Sequence, residues 1–364
     1  MATIKPFTIN VPQAKLDDLR ERLAKTIWPS TIAGQSYGGP DVGQIEELAR
    51  QTRAFDWRKK EAELNALPNF VTEIDGQNIH FIHVKSKHPG ATPLLLIHGW
   101  PGSWYYWRLV MPALARGFQV MAVDQRGIGL SDKPEDGYDA GTLANDLVGL
   151  MDALGHERFA VVGVDTGMLI GYALAADHPD RVVRVALGEA PLPGITPPTP
   201  LVLPDAIVDR LWHIPFNQLK ETNEKLVRGR EDIFFGAEFA ASAGTNKLPD
   251  DAVRYYVEGL ASSPEALHGS FQLYRAFGAT TAQNVERRAR RLTMPVLAMG
   301  GAESGGSMAA DTLKLAADDV RTLVIPGVGH WLAEQAPEEL LAALTEFLAP
   351  YRDAAADRPP LATA

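Results

Sequence analysis

A short stretch near the middle of the chain places an aspartate between two glycines, directly after an apolar run. Phe159–Val164 has the pattern of a fully buried strand, and the residues from Thr166 onward have the pattern of a helix. Gly163 and Gly167 flank Asp165 with the spacing of a G-x-nucleophile-x-G elbow, whose strained turn needs small neighbours. The sequence therefore predicts a strand, a sharp turn and a helix, with the Asp165 side chain exposed at the end of a sheet.

The carboxylate at the centre of this turn selects the chemistry. It is ionised at neutral pH and can attack an electrophilic sp3 carbon without a base to accept a proton, which leaves an alkyl ester on the enzyme. Water must then cleave that ester, so the expected targets are strained or halogenated carbons rather than amide or ester carbonyls. The alternative is that Asp165 only caps the helix that follows it.

Apolar runs typical of buried strands recur along the chain, and helical patterns separate most of them. They are Phe70–Ile74, Ile79–Val84, Pro93–His98, Gln119–Val123, Phe159–Val164, Val182–Leu187, Pro295–Gly300 and Arg321–Ile325. Asp75-Gly76 between the first two runs predicts a hairpin. Because strands and helices alternate, we expect an α/β fold with a mostly parallel sheet of eight strands.

The chain divides into five predicted segments. They are an N-terminal helical meander (1–68), the first part of the core (69–190), a helical lid (191–291), the second part of the core (292–352) and a flexible tail (353–364). Helical patterns at Val11–Ala24 and Val42–Leu64, separated by a loop at 34–40, indicate the meander. The lid would cover the carboxyl ends of the strands, where open α/β sheets bind ligands.

A carboxylate nucleophile needs a base for the hydrolytic water and an acid that orients this base. His330 follows the last predicted strand, which is the base position when the chain order is nucleophile, acid, histidine. Glu189 and Glu303 each follow an intervening strand, and either carboxylate could reach the imidazole. Counting along the strand from Pro295 puts Ser304 rather than Glu303 at the usual acid position, so we favour Glu189.

The run from His98 to Gly102 follows the third predicted strand and can shape a loop beside the nucleophile. We expect the backbone N–H groups of Trp100 and Thr166 to form an oxyanion hole for the intermediate that arises when water attacks the Asp165 ester. The alternative is that glycine and proline merely shape a turn there. The predicted lining of the substrate pocket is His98, Pro101, Trp212 and Trp331.

Composition excludes several other classes of protein. The net charge of −10 provides no basic surface for nucleic acid, and a chain without cysteine has neither a thiolate nucleophile nor a cysteine-ligated metal. The glycines in Asp124–Ser131 lack the spacing of a phosphate-binding loop, so we interpret that run as a structural turn. We therefore expect a reaction on a neutral, apolar substrate that requires neither metal nor cofactor.

The chain as given also favours a cytoplasmic protein. Residues 1–10 lack the apolar region of a secretion signal, and no stretch approaches the roughly 18 apolar residues of a membrane span. The meander and the aromatic lid could bury against a second copy, so a homodimer is a further expectation.

With these residues identified, the chain resembles the epoxide hydrolases of the α/β-hydrolase superfamily. The segments similar to the microsomal type with its N-terminal meander are 56–70, 74–84 and 98–107. The segments similar to the bacterial Cif-type branch are 189–193, 211–213, 271–275 and 326–332. The resemblance implies conversion of an epoxide to a vicinal diol, with Glu189 as the triad acid and with His213 and Tyr274 as donors to the ring oxygen.

Other functions stay open on these residues. A haloalkane or haloacetate dehalogenase uses the same set of Asp, His and acid, but its halide is held by tryptophan or arginine just after the nucleophile. This chain has Thr166, Met168 and Leu169 there, which weakens that alternative. An ester or amide hydrolase is disfavoured because Asp165 is not serine. From another class, the chain could be a catalytically silent small-molecule binding protein on a hydrolase scaffold.

Overall fold

The computed structural model describes residues 3–28, 42–88, 90–197 and 205–356. Its strands are β1 (Lys5–Phe7), β2 (Asn69–Ile74), β3 (Gln77–Val84), β4 (Thr92–Ile97), β5 (Phe118–Val123), β6 (Phe159–Val164), β7 (Val182–Gly188), β8 (Val296–Gly301) and β9 (Val320–Ile325). They form one sheet in the order β1-β2-β3-β5-β4-β6-β7-β8-β9. β3 pairs antiparallel with β5, whereas every pairing from β5 through β9 is parallel.

The mostly parallel α/β sheet is confirmed, and each of the eight predicted runs forms a strand. The ninth strand, β1, was not predicted because three residues at a sheet edge are too short to establish a periodic pattern. The hairpin at Asp75-Gly76 is confirmed as well. Both residues have positive φ, 48° and 76°, as a two-residue turn between twisted strands requires.

Residues 7–69 form a separate compact unit that is rich in helix. Its helices are α1 (Gln13–Lys25), α2 (Val42–Ala54) and α3 (Trp57–Asn65), at the two places where the sequence predicts them. Asn65 of α3 makes two hydrogen bonds with the backbone of Ile9, and Glu61 accepts from the Val11 N–H at 2.7 Å. These bonds fix the start of the unit to its last helix. The predicted loop at 34–40 lies outside the described residues.

The second unit carries the remaining helices. They are α4 (Met111–Leu114), α5 (Ala140–Ala153), α6 (Thr166–Asp177), α7 (Asp205–Leu211), α8 (His213–Asn217), α9 (Thr222–Val227), α10 (Glu231–Ser242), α11 (Asp250–Leu260), α12 (Pro264–Arg275), α13 (Phe277–Arg287), α14 (Met308–Leu313), α15 (Leu332–Gln335) and α16 (Pro337–Ala356), with a 3-10 helix at Trp104–Trp107. We call α7 to α13 the inserted helices, because within the described residues they separate β7 from β8.

The inserted helices fall within the interval that the sequence predicts to be a lid. The bounds of the lid and of the other segments stay predictions. The predicted tail differs at its beginning, since α16 continues to Ala356 and residues 353–356 are therefore helical. Residues 357–364 lie outside the described part of the chain.

Helix α6 is buried beside the sheet along almost its whole length. Every residue from Thr166 to Ala176 is buried, and the helix packs against β6, β7 and α5. Its sequence shows no apolar stripe because all of its faces are covered. Each fully buried side chain such as Ile170 contributes about 1.5–3 kcal/mol relative to an exposed one. This packing fixes the position at which α6 begins.

The strand register brings three chain segments to one edge of the sheet. Gly163 of β6 pairs with Ile97 of β4, and Val164 pairs with Gly188 of β7. β4, β6 and β7 therefore end side by side, and the residues that follow them meet at their carboxyl ends. Open α/β sheets bind ligands at this edge.

Gly167 provides a test of how tightly this edge is packed. A Cβ there would lie 2.4 Å from the Ile97 carbonyl oxygen and 2.6 Å from that of His98, so the Gly167→Ala variant must displace backbone. We expect this overpacking to cost about 1–3 kcal/mol and to lower the melting temperature. Gly236→Ala in α10 is the matched control, because a Cβ there has nothing within 4 Å and alanine favours a helix by about 1 kcal/mol. If the Gly167→Ala protein melts at or above the temperature of the unsubstituted protein, the packing described here is wrong.

Candidate active site

Asp165 lies in the turn between β6 and α6 in an unusual backbone conformation. Its φ of 54° and ψ of −123° are sparsely populated by residues with a side chain. Its N–H donates to the Gly188 carbonyl at 2.8 Å, and its own carbonyl accepts from the Met168 N–H at 2.8 Å. The carboxylate makes no capping hydrogen bond to α6 and keeps 17% of its surface exposed. The geometry therefore differs from that of a helix cap.

Glycines let three backbone segments approach at this turn. A Cβ on Gly163 would lie 2.3 Å from the Gly167 carbonyl oxygen, and one on Gly99 would lie 2.5 Å from the Asp165 Cβ. Real Cβ atoms do not come this close to another heavy atom, so both positions require glycine. Gly99 in particular brings the loop after β4 onto the Asp165 side chain.

The loop after β4 donates a backbone hydrogen bond to the Asp165 carboxylate. The Trp100 N–H lies 2.7 Å from Asp165 Oδ1. Thr166 is the first residue of α6, and in the described part of the chain its N–H makes no such bond with the carboxylate. The structure thus brings one of the two predicted oxyanion donors to the carboxylate and places the other next to it in the chain.

His98 and Pro101, which flank Trp100 in this loop, are both buried. His98 donates from Nδ1 to the Gly99 carbonyl at 2.9 Å and accepts the Gln125 N–H at Nε2, at 3.4 Å. Burial lowers the pKa of His98, so the neutral ring suits both bonds. We infer that His98, predicted to line the pocket, supports the loop through its ring nitrogens instead of offering them to a ligand.

Asp165, Glu189 and His330 come together at the sheet edge. His330 Nδ1 lies 2.9 Å from Glu189 Oε2, and His330 Nε2 lies 3.7 Å from Asp165 Oδ2. The second separation exceeds a hydrogen bond, so the imidazole faces the carboxylate without bonding to it. Glu189 is 1% exposed, and its Oε1 accepts the Gly301 N–H at 2.6 Å. Both of its oxygens therefore have partners.

The surroundings of His330 favour its charged form. Burial is the strongest influence and acts in the opposite direction, but the Glu189 hydrogen bond and the neighbouring carboxylate charges together raise the pKa of His330. The backbone at this position is also fixed, because the His330 N–H donates to the Ser242 carbonyl at 2.9 Å. Trp331 adds a bond from Nε1 to Ser242 Oγ at 2.8 Å.

Glu303, the other candidate for the acid, lies on the loop after β8. Its Oε2 accepts the Thr245 N–H at 2.6 Å, and within the described residues it has no contact with His330. Glu189 is the carboxylate beside the imidazole because the Gly301 N–H, at the end of β8, holds its second oxygen. The structure therefore does not bring Glu303 to the position that the alternative required.

His213 and Tyr274 of the inserted helices pack around Trp100. The His213 ring stacks on the Trp100 ring, with centroids 5.3 Å apart, and the Tyr274 ring meets Trp100 edge-on at 5.2 Å. The His213 and Tyr274 rings are 5.7 Å apart and perpendicular. Because the Trp100 N–H bonds to Asp165, this tryptophan connects the two side chains to the carboxylate. Burial, reinforced by the charge of Asp165, raises the pKa of Tyr274 well above its ordinary value.

The other two predicted pocket residues belong to aromatic clusters. Trp212 packs edge-on against Phe234 with centroids 5.5 Å apart, and Phe234 in turn contacts Trp100 at 6.2 Å. Trp331 packs against Phe239 at 4.8 Å. These contacts make the inserted helices apolar where they meet the sheet edge.

Sequence reasoning missed Glu238. Its Oε2 lies 3.1 Å from His213 Nδ1, and its side chain is 6% exposed. A signal existed, because Glu238 interrupts an otherwise aromatic helix face at the spacing of buried positions. The buried residues of that face are Phe234, Phe235, Glu238 and Phe239. An acidic residue on an apolar face requires a partner, which the sequence does not identify.

The run Asp124–Ser131 forms the structural turn that its glycines indicate. Asp124 is buried and contacts His80 Nδ1 at 2.8 Å, and its other oxygen accepts the Trp104 N–H at 2.9 Å. A Cβ on Gly129 would lie 2.2 Å from Asp124 Oδ2, so the turn wraps closely around this carboxylate. The pair fixes the 3-10 helix that follows the Trp100 loop.

Comparison with known proteins places this chain in a family. The model "Epoxide hydrolase N terminus" matches residues 4–107, and the model "alpha/beta hydrolase fold" matches residues 92–337. The soluble epoxide hydrolase of Corynebacterium sp. (strain C12) is 30% identical over 288 residues, which are 77% of this chain and 96% of that protein. The chain belongs to the epoxide hydrolase family of the α/β-hydrolase fold.

Two further proteins are similar to this chain. Wild-type Cfl2 from Burkholderia cenocepacia, a solved structure, is 31% identical with a TM-score of 0.73, and the match covers 77% of this chain and 95% of that one. Epoxide hydrolase 1 of Sus scrofa is 31% identical over 205 residues, 52% of this chain and 45% of that protein. The chain thus spans about half the length of this longer epoxide hydrolase. Within the described residues, no helix combines the length and apolarity needed to cross a membrane.

The hydrogen bond between Glu189 and His330 predicts how the pKa of His330 responds to substitution of Glu189. Glu189→Gln removes the hydrogen bond and a charge that favour the imidazolium, so the pKa of His330 should fall. Glu303→Gln is the matched control and should leave the His330 titration unchanged, because Glu303 bonds to Thr245 instead. Following the histidine ring protons by NMR across pH measures both. An unchanged or higher pKa of His330 in Glu189→Gln would contradict the geometry.

Proposed function

We propose that this chain converts a small epoxide to a vicinal diol through an alkyl ester of Asp165. The observation that supports it best is that a partly exposed carboxylate faces an imidazole to which it makes no hydrogen bond. His330 Nε2 is 3.7 Å from Asp165 Oδ2, so no hydrogen bond occupies the attacking oxygen. Once Oδ2 is esterified, the Asp165 charge that favours the imidazolium is lost, and His330 can act as a base. A serine nucleophile would instead need a hydrogen bond to its base.

In the first step, Asp165 attacks a ring carbon of the epoxide. The Trp100 N–H already holds Oδ1 at 2.7 Å, so Oδ2, on the His330 side, is the oxygen that forms the new bond. His213 and Tyr274 donate hydrogen bonds to the ring oxygen as its carbon–oxygen bond breaks. The raised pKa of Tyr274 keeps its proton on the phenol, which such a donor requires.

In the second step, His330 accepts a proton from water, and the hydroxide adds to the carbonyl carbon of the Asp165 ester. The bond from that carbon to Oδ2 then breaks, and Oδ2 leaves with the product and takes the proton of the newly formed carboxylic acid, which gives the diol and the Asp165 carboxylate. Glu189 fixes the ring through Nδ1 and stabilises the imidazolium that forms. Negative charge develops on Oδ1, where the N–H groups of Trp100 and Thr166 act as the oxyanion hole. In a serine protease, a single oxyanion-hole donor stabilises the transition state by about 2.7–4 kcal/mol.

A trapping experiment tests this mechanism. The His330→Gln variant should open epoxides but hydrolyse the ester roughly 10²–10⁴-fold more slowly, because it lacks the base. The adduct, one substrate mass above the protein, should then accumulate and be located on Asp165 by mass spectrometry of peptides. Asp165→Asn should form neither adduct nor diol, and Glu303→Gln should behave as the unsubstituted protein.

The same assay separates the alternatives. An epoxide panel and a set of haloacids and haloalkanes are incubated with the unsubstituted protein, and diol and free halide are measured. Diol without halide agrees with the proposal, whereas halide release without diol selects a dehalogenase. Ligand binding without either product selects the silent binding protein. The homodimer and the cytoplasmic location expected from the sequence stay predictions.

A further inference from the structure

A second pairing of histidine and glutamate lies among the inserted helices. His213 begins α8 and Glu238 lies in α10, and their side chains are 15% and 6% exposed. Nδ1 and Oε2 are 3.1 Å apart but off the line of an ideal hydrogen bond. Glu238 Oε1 has no partner in the described part of the chain. The imidazole is therefore the group near this buried carboxylate that can share a proton with it.

The shared proton controls what the far side of the imidazole can do. Two bare lone pairs at 3.1 Å repel, so a small rotation of either side chain that brings one proton into line between Nδ1 and Oε2 is favoured, whichever atom carries that proton. If the pair holds a second proton, it resides on Nε2, and the ring can donate to a ligand. If the pair holds only the first proton, Nε2 is an acceptor and cannot help an epoxide to open.

We propose that Glu238 is a positioning residue that makes His213 the proton donor to the epoxide oxygen, whereas Tyr274 donates only a hydrogen bond. This inference rests on the proposed function. The bond from Asp165 Oδ2 to carbon forms, and the ring carbon–oxygen bond breaks with its electron pair left on oxygen. That oxygen takes the proton from His213 Nε2, and the proton between Nδ1 and Glu238 stays. The pair regains a proton from solvent, to which His330 releases the one it took from water.

The surroundings of the pair fit this division of labour. Trp100 covers one face of the His213 ring and Tyr274 meets it edge-on, so the imidazole cannot rotate freely away from Glu238. Burial and the charges of Asp165 and Glu238 raise the pKa of Tyr274 well above its ordinary value, which keeps the phenol from releasing its proton.

Dependence on the leaving alkoxide tests the proposal. Glu238→Gln is compared with Glu303→Gln in rapid-quench single turnovers that measure ester formation. Ring opening of butene oxide turns its oxygen into a strongly basic alkoxide that needs a proton. Glu238→Gln should therefore slow this opening by about tenfold to a hundredfold. The alkoxide formed from trifluoropropene oxide is a weaker base, so Glu238→Gln should slow the opening of this substrate only a few-fold. Equal losses on both substrates, or no loss, would overturn the proposal.

A double-substitution cycle asks whether Glu238 acts through His213. In a protein that already carries His213→Gln, adding Glu238→Gln should cause no further slowing of butene oxide opening, because the proton donor is absent. Losses that multiply would show that Glu238 acts by another route and would reject the assignment.

A measurement without substrate separates this inference from the proposed function. Nitrogen-15 NMR of the histidine rings should show the His213 Nδ1 resonance shifted in Glu238→Gln and unchanged in Glu303→Gln. If the unsubstituted protein opens no epoxide but the resonance shifts, the proposed function fails and the pairing holds. If diol forms but the resonance does not respond to Glu238→Gln, the proposed function holds and this inference is wrong.

Discussion

Asp165 holds a backbone conformation that a residue with a side chain adopts when its surroundings enforce it. Such strain costs on the order of 1–3 kcal/mol, and here two backbone hydrogen bonds and close glycine packing offset it. The register of β4, β6 and β7 aligns the strand ends, and the buried helix α6 fixes where the turn must finish. The loop after β4 can then reach the carboxylate through the Trp100 N–H. The rest of the site is arranged around this one turn.

Three carboxylates lie at or near the site, and each is compensated differently. Asp165 keeps partial exposure and one backbone donor, Glu189 has a backbone donor and His330, and Glu238 lies 3.1 Å from His213 without an aligned hydrogen bond. Removing the partner of a buried charge costs about 3–5 kcal/mol, so we expect His330 to stabilise the fold through its hydrogen bond with Glu189. The two imidazoles also lie in different surroundings. His330 faces Asp165, whereas His213 stacks on Trp100 beside Tyr274.

Local patterns predicted the elements that depend on neighbouring residues. The apolar runs gave β2 to β9 and the glycine spacing gave the elbow, because burial on both faces and a sharp turn leave marks in a few consecutive residues. His330 followed from the chain order of strands. The short strand β1 left no such mark, since three residues cannot show a period.

What the sequence could not supply depends on how separate elements pack. Glu189 and Glu303 were both plausible partners of His330, and the difference is one N–H of Gly301 at a strand end. Glu238 was missed because its partner lies on another inserted helix. His213 and Tyr274 were identified by resemblance, because helix packing rather than local spacing puts them beside Trp100.

The central claim is that a covalent bond forms between Asp165 and the substrate, and isotope transfer tests it directly. Excess protein is allowed one turnover of an epoxide in water enriched in oxygen-18, and both the diol and the Asp165 peptide are analysed by mass spectrometry. The account predicts label in the Asp165 carboxylate and none in the diol, because the product takes its new oxygen from the side chain. A labelled diol with an unlabelled Asp165 would mean that water attacks the epoxide directly, and would contradict the account.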